Sequence, residues 1–256
     1  MNSPPRDVRA YPHPPQLSYN QQSNQIIEEP FAQVNIESDS QTYQLTFRQP
    51  IYQKPSAEFA IGLTLARRES QTSILGENYP LAPGANDQDE TRLSIMRFFQ
   101  DWLKRDQNQV MAARSEFSLG LGLFDATIND NAPDSQFLAW RGQGQYARRL
   151  GKDSLLVVRG IMQLTPSDLV PMEEFSLGGL GSVRGYRQDS RLTDNGVLLS
   201  AEVRVPVIST RESSVQLVPF LDKEYFFRFP NSLIFPWLPA RKDIKTYPGK
   251  RVVKSS

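Results

Sequence analysis

Apolar and polar residues alternate along most of this chain. Nearly every second residue is apolar within residues 42–48, 57–66 and 155–164. In the clearest case the apolar residues Phe117, Leu119, Leu121 and Leu123 alternate with Ser118, Gly120 and Gly122. Because successive side chains of a β-strand point to opposite faces, this period of two predicts strands with one apolar and one polar face. The sequence therefore predicts an all-β protein.

About eight such strands are predicted, joined by alternating long and short connections. Residues 91–104 are mixed, since Arg97 and Asp101 interrupt the strand pattern, and a helix remains an alternative there. Residues 1–40 are rich in Pro, Gln, Asn and Ser, which predicts a disordered or linker segment. The last predicted strand covers residues 215–222.

Two architectures fit one-sided strands. A soluble β-sandwich buries its apolar faces against each other, whereas a transmembrane barrel turns them to lipid. Several features favour the barrel: predicted strands of about 9–11 residues, a polar face of Gly, Ser, Gln and Arg, and Tyr43, Trp140 and Tyr146 as candidate interfacial aromatics. The pattern alone leaves both open. The sequence contains no run of about 18 apolar residues, so it predicts no transmembrane helix.

Composition narrows the chemistry. The chain has no cysteine, and its single histidine, His13, lies in a Pro-rich stretch, so no thiolate or histidine-based catalytic set can be assembled. We therefore expect no enzyme, no cofactor and no metal site. The net charge of +1 predicts no general attraction to nucleic acid. Glu173 and Glu174 are interpreted as a solvated rim, and the Asp- and Asn-rich residues 125–134 as a turn rather than a calcium loop.

A glycine-rich stretch, residues 175–189, reads Phe-Ser-Leu-Gly-Gly-Leu-Gly-Ser-Val-Arg-Gly-Tyr-Arg-Gln-Asp. It combines the glycines Gly178, Gly179 and Gly181 with the tetrapeptide Val183, Arg184, Gly185 and Tyr186. The spacing departs from the dinucleotide fingerprint, and an alternating strand rather than a helix follows, so phosphate binding is not favoured. The tetrapeptide indicates a loop that folds back and holds something.

This stretch, followed by Asp194-Asn-Gly196 and the strand Leu199-Ser-Ala-Glu-Val-Arg-Val-Pro206, resembles a family of outer-membrane transporters. These are the two-partner secretion proteins (TpsB), the hemolysin secretion/activation proteins of ShlB/FhaC/HecB type. The likeness covers about residues 29–222. It implies a partial transmembrane antiparallel β-barrel of about eight of sixteen strands, in the outer membrane of a Gram-negative-type bacterium.

The resemblance also implies partners and roles. The barrel would secrete and activate a large hemolysin- or adhesin-type exoprotein, passed unfolded, and would contact outer-membrane lipid and the barrel-assembly machinery. A loop at residues 173–195 would fold into the lumen, where Arg184 would reach Asp222. Phe220 and Asp222 match the first half of the family motif Phe-x-Asp-x-Gly. A carboxylate can accept paired hydrogen bonds from a guanidinium, which suits such an anchor.

The pattern changes after Asp222. Residues 223–256 hold eight of the 29 Lys and Arg residues but only two of the 28 Asp and Glu residues, with little alternation. The sequence thus predicts a barrel portion over 41–222 and a basic tail outside the family over 223–256. The N-terminus has no apolar signal-peptide core. We therefore expect an internal piece of a longer barrel, for which transport by the isolated chain is in doubt.

Two other functions remain open at this point. An outer-membrane assembly or insertion barrel shares the Val-Arg-Gly-Tyr sequence. A soluble β-sheet binding module would use the loops at residues 76–89 or 125–134.

Overall fold

The computed structural model describes residues 14–25, 35–79, 83–86, 89–130, 133–151, 153–177, 191–209 and 214–227. Thirteen β-strands lie in this part of the chain. They are β1 Gln16–Gln25, β2 Ile36–Lys54, β3 Ala57–Ile74, β4 Glu77–Asn78, β5 Glu90–Arg105, β6 Gln109–Leu121, β7 Leu138–Leu150, β8 Ser154–Leu164, β9 Phe175–Leu177, β10 Arg191–Thr193, β11 Gly196–Ser209, β12 Ser214–Leu217 and β13 Phe220–Phe226. Across these residues no helix is long and apolar enough to cross a membrane.

One antiparallel sheet contains nearly all of these strands. Its order is β1-β2-β3-β5-β6-β7-β8-β11, and β12 and β13 share the free edge of β11, so that nine strand positions lie side by side. The short β4 pairs with β3, and β9 and β10 form a separate two-stranded ribbon. Within the described residues the edge strands β1 and β12/β13 do not pair with each other, so the sheet is not closed. The predicted all-β, partial-barrel fold is confirmed.

The connections divide the sheet into two ends. Short turns join β2 to β3, β5 to β6 and β7 to β8 at one end. The long connections β3–β5, β6–β7 and β8–β11 lie at the other end, because consecutive strands run in opposite directions. The longest of them, from β8 to β11, contains the glycine-rich stretch. We call these the short-turn end and the loop end.

The apolar face of the sheet is exposed. Tyr43, Leu65 and Phe117 keep 46%, 43% and 41% of their surface accessible, and no second layer covers this face within the described residues. The polar face is concave, since residues from β1 to β7 line one cavity of about 680 Å³ on it. A soluble sandwich would show the reverse, with its apolar face buried.

The main buried apolar cluster also lies on the concave face. Leu93 and Ile95 of β5 pack with Ala66, Phe137 and Ala139. Leu169 and Val170, from the connection that follows β8, complete this cluster and are almost fully buried. The chain thus builds its small core by folding loop-end segments inward onto the sheet.

The prediction of a disordered or linker segment over residues 1–40 is wrong for residues 16–25. They form β1, which pairs with β2 along its whole length, from Gln16 opposite Thr46 to Gln25 opposite Glu37. Only Leu17 and Tyr19 are apolar in this strand, and every residue in it is exposed. Backbone hydrogen bonds to β2 therefore stabilise a strand that the polar composition of these residues does not predict.

The strands are longer than the predicted 9–11 residues. β2 has 19 residues and β3 has 18. The apolar alternation marks only the middle of each strand, whereas the backbone ladder continues into polar sequence at the loop end, where Glu37 lies opposite Ser73. Residues 91–104 belong to β5, so the strand interpretation is confirmed there. Arg97 and Asp101 lie on its polar face.

Prolines mark the irregular points of the sheet. The register of β2 shifts after Pro50 and that of β11 after Pro206. Proline has no amide hydrogen to donate, which confines it to such positions. The strand predicted over 215–222 is divided in the same way at Pro219, and its second part, β13, runs on to Phe226 rather than ending at Asp222.

Candidate lumenal site

The segment that follows β8 lies on the concave face of the sheet. We call residues 165–177 the inward segment. Leu169 and Val170 anchor its first half in the apolar cluster, and Phe175 packs with Leu198 and Ile161 in its second half. The beginning of the glycine-rich loop is therefore held against the polar face.

Glu173 is the most strongly bonded residue of the inward segment. Its carboxylate Oε1 accepts from Arg68 Nη1 at 2.5 Å and from Arg97 Nη2 at 2.7 Å, and Oε2 lies 2.9 Å from the same Arg97 nitrogen. Arg68 Nη1 also donates to the Met172 carbonyl at 2.6 Å. The interpretation of Glu173 as part of a solvated rim is wrong, because the residue is 7% exposed and its partners lie on β3 and β5.

The pKa of Glu173 lies below its ordinary value of 4.5. Burial by itself raises the pKa, since it disfavours a charge, but the nearby guanidinium groups of Arg97 and Arg68 outweigh burial and lower it. Glu173 is therefore ionised at neutral pH. A buried carboxylate of this kind is stable only because it is paired and hydrogen-bonded.

Gln163 holds both ends of the connection to the end of β8. It is 1% exposed, and its Nε2 donates at 3.1 Å to the carbonyls of Glu173 and Asp194. Its own carbonyl Oε1 accepts from Arg141 Nε at 2.9 Å. Both hydrogen-bonding ends of the amide are thus used.

The residues Asp194 and Asn195, which precede β11, tie the end of the loop to its beginning. Asp194 Oδ1 accepts from the Leu169 amide at 2.9 Å, and Asn195 Oδ1 accepts from the buried Thr165 amide at 2.7 Å. Next to them, Gly196 leaves room for the Phe175 ring, because a Cβ on Gly196 would come within 2.7 Å of Phe175 Cδ1. The sequence Asp-Asn-Gly therefore closes the base of the loop.

Glu173 stands near one end of a chain of alternating charges on the concave face. The members of this ionic chain, in spatial order, are Glu58, Arg48, Asp101, Arg114, Glu116, Arg97, Glu173 and Arg68. Its contacts are most buried at Glu173 and reach 3.7 Å between Arg97 and Glu116. Phe99 packs between Gly62 and Arg114, whose guanidinium carbon lies 4.0 Å from the ring centroid.

The polar concave face, the inward segment and the open antiparallel sheet together indicate part of a β-barrel with a polar interior. The family model for the haemolysin secretion/activation protein ShlB/FhaC/HecB matches residues 16–223. The chain belongs to this family. Its members are outer-membrane β-barrel transporters of two-partner secretion in Gram-negative bacteria. No curated protein sequence matches the chain.

Solved structures show the same fold. CdiB from Escherichia coli superposes with a TM-score of 0.66 at 20% identity, over 81% of this chain and 38% of that one. CdiB from Acinetobacter baumannii gives a TM-score of 0.59 at 17% identity, over 84% and 41%. The ShlB/FhaC/HecB chain described here therefore spans about two fifths of the length of either structure.

The site residues predicted for this ShlB/FhaC/HecB member divide into two groups. The loop glycines 178, 179 and 181 and the tetrapeptide 183–186 lie outside the described residues. Phe220 and Asp222 lie on β13, where Phe220 is opposite Glu202 and Asp222 is opposite Ser200 of β11. Asp222 is half-buried and shares the concave face with the inward segment.

Sequence reasoning missed the residues that hold the loop base: Glu173, Gln163, Arg68 and Arg97. Glu173 lies 76 residues after Arg97 and 105 residues after Arg68 in the sequence, so no local spacing reveals these contacts. One signal was present, because Arg97 interrupts a strand face that otherwise carries Leu93, Ile95 and Phe99. A charge on a strand that faces a lumen needs a partner across it.

Proposed function

We propose that this chain forms part of an outer-membrane pore that secretes a large exoprotein of hemolysin or adhesin type by two-partner secretion. The observation that carries the proposal is the match of the ShlB/FhaC/HecB family model to residues 16–223. The concave polar face supports it, because an unfolded polypeptide in transit needs a path lined by polar groups rather than by apolar ones. No comparison favours the assembly barrel or the soluble binding module.

The exposed apolar face supports outer-membrane lipid as a partner. Aromatic residues lie near both limits of this face: Tyr43 towards the loop end, and Phe59 and Trp102 towards the short-turn end. Arg67, the partner of Tyr43, lies eight positions after Phe59 on β3. At about 3.4 Å per residue this is ~27 Å along the strand, close to the ~25 Å apolar band of outer-membrane barrels.

The proposed anchor of the loop tip is an ion pair between Arg184 and Asp222. Two facts support it: the base of the loop, Glu173 to Phe175, already lies on the concave face, and Asp222 belongs to the same face. A carboxylate in this partly desolvated place gains most from a bidentate guanidinium partner. The pair would position the loop within the transport path.

Secretion by cells that produce the protein carrying this chain tests the proposal. The exoprotein encoded with it is measured in the medium and in the periplasm, with and without the transporter. We expect medium exoprotein to depend on the transporter. We expect Arg184→Ala and Asp222→Asn each to lower it about tenfold, and the double variant to be no worse than either alone.

Arg187→Ala, which removes a nearby charge outside the tetrapeptide, is the matched control and should leave secretion unchanged. If the medium exoprotein is the same without the transporter, the proposed function is wrong. If secretion depends on the transporter but the Arg184 and Asp222 variants secrete normally, the proposed Arg184–Asp222 ion pair is wrong and the proposed pore function stands.

A further inference from the structure

The inward segment meets an excess of positive charge on the barrel wall. Three arginines, Arg68, Arg97 and Arg141, surround the place where Glu173 enters, and Glu116 is the wall carboxylate that pairs with Arg97 there, at 3.7 Å. Without Glu173 this part of the wall would hold uncompensated guanidinium groups that repel one another. The carboxylate therefore neutralises the wall as well as holding the segment.

We propose that Glu173 is the positioning residue of the inward segment, and that loss of its ion pairs with Arg68 and Arg97 releases this segment from the wall into the lumen. This anchor is distinct from the proposed Arg184–Asp222 pair, because it acts at the base of the loop and uses strands β3 and β5 rather than β13. It rests on the proposed function only in placing the segment within a transport path.

Electrostatic geometry identifies Glu173 rather than its neighbours as the anchor. It receives donors from two strands at 2.5–2.9 Å, and Arg68 reaches the segment a second time through the Met172 carbonyl. Leu169, Val170 and Phe175 hold the segment by apolar packing, and Glu173 supplies its ion pairs with β3 and β5. Removing one partner of a buried ion pair is costly because it leaves the other charge unpaired.

After release of the segment, the arginines of the wall can form other ion pairs. Arg97 already approaches Glu116, and Arg114 links Glu116 to Asp101 at 3.4 and 3.6 Å. When Glu173 leaves, Arg97 can strengthen its contact with Glu116 without a change in the backbone of β5. The ionic chain then loses Glu173 and Arg68 while its other six members stay linked, so that the sheet is expected to keep its fold while the segment moves.

The absence of cysteine from the chain allows a direct test. Val170→Cys places a thiol in the inward segment at a site that is 0% exposed, and Ala60→Cys places one on the sheet at another 0% exposed site. Each is introduced alone into the chain in outer-membrane vesicles. The rate of modification by a water-soluble maleimide is then measured with and without Glu173→Gln. The matched control is Glu69→Gln, which removes the same charge from the more exposed pair with Arg67.

We expect Glu173→Gln to speed labelling at position 170 by at least about tenfold and to leave labelling at position 60 unchanged. Glu69→Gln should change neither rate. If position 170 remains as slow with Glu173→Gln as without it, Glu173 is not the anchor. If positions 60 and 170 both become fast, Glu173 supports the whole fold, and the positioning role is overturned.

A second variant covers the case in which Glu173→Gln does not accumulate. Arg68→Gln removes one of the two guanidinium partners and leaves Arg97 on Glu173. It should speed labelling at position 170 by less than Glu173→Gln but clearly above the control. An unchanged rate would also contradict the proposal. Labelling does not depend on secretion, so failure here and failure of the proposed pore are separately visible.

Discussion

The Phe175 ring lies against Gly196, so close that a Cβ on the glycine would come within 2.7 Å of ring atom Cδ1. This contact joins the two ends of the connection between β8 and β11. Phe175 belongs to the beginning of the glycine-rich motif, and Gly196 is the first residue of the strand that follows the loop. The glycine is required there by packing, since the ring occupies the space that any side chain would need.

Gly196→Ala should therefore displace Phe175 and destabilise the protein. We expect a loss of about 1–3 kcal/mol in the free energy of unfolding, the usual cost of overpacking. Urea unfolding in detergent or lipid vesicles measures it. Gly144→Ala on β7 is the control, because nothing lies within 4 Å of a Cβ there. Equal midpoints for the two variants would show that the ring is not held in place.

Asn195→Ala should destabilise the base of the loop. The variant leaves the buried Thr165 amide without its 2.7 Å acceptor. An unsatisfied buried donor costs about 1–3 kcal/mol. Asn108→Ala, in the exposed turn between β5 and β6, is the matched control. If water replaces the lost acceptor, the measured free energies of the two variants will coincide, and the contact is not structural.

Acid should weaken the hold of Glu173 on the sheet. Its folded pKa is below the ordinary 4.5, so it binds protons less readily when folded than when unfolded. The stability that it contributes is then fully present above about pH 4.5 and is lost as pH falls through the lower folded pKa. The free-energy difference between the parent and Glu173→Gln should be constant from about pH 8 to pH 5 and narrow below that. A difference that widens on acidification would reverse the assigned direction.

The apolar face should reject charge if lipid covers it. Phe117→Arg, at a 41% exposed position on that face, is expected to cost about 2–4 kcal/mol when the protein is folded in lipid vesicles. Asn20→Arg on β1 introduces the same group on the concave face, opposite the uncharged Thr42, and should cost little. Similar small costs for both would mean that water rather than lipid contacts Phe117, in favour of a soluble sheet.

Much of the fold follows from local pattern. The alternation of residues 117–123 places Phe117 and Leu119 on the exposed face and Ser118 and Gly120 on the concave face, as the structure has them. Composition was a poorer guide than pattern at β1, because its Gln, Asn and Ser side chains conceal a strand that the backbone of β2 stabilises. The pattern did not reveal the strand ends either, because backbone hydrogen bonds between strands continue beyond the last apolar residue.

The sequence by itself determined that the chain makes two-faced strands, because successive side chains of a strand point to opposite faces, and its glycine-rich motif pointed to the secretion family. Tertiary structure alone decided which polar residues meet. Glu173 became a buried anchor, rather than part of a solvated rim, because folding brings Arg97 and Arg68 to it from 76 and 105 residues away. The energy of a buried charge depends on such distant partners, and no local spacing encodes them.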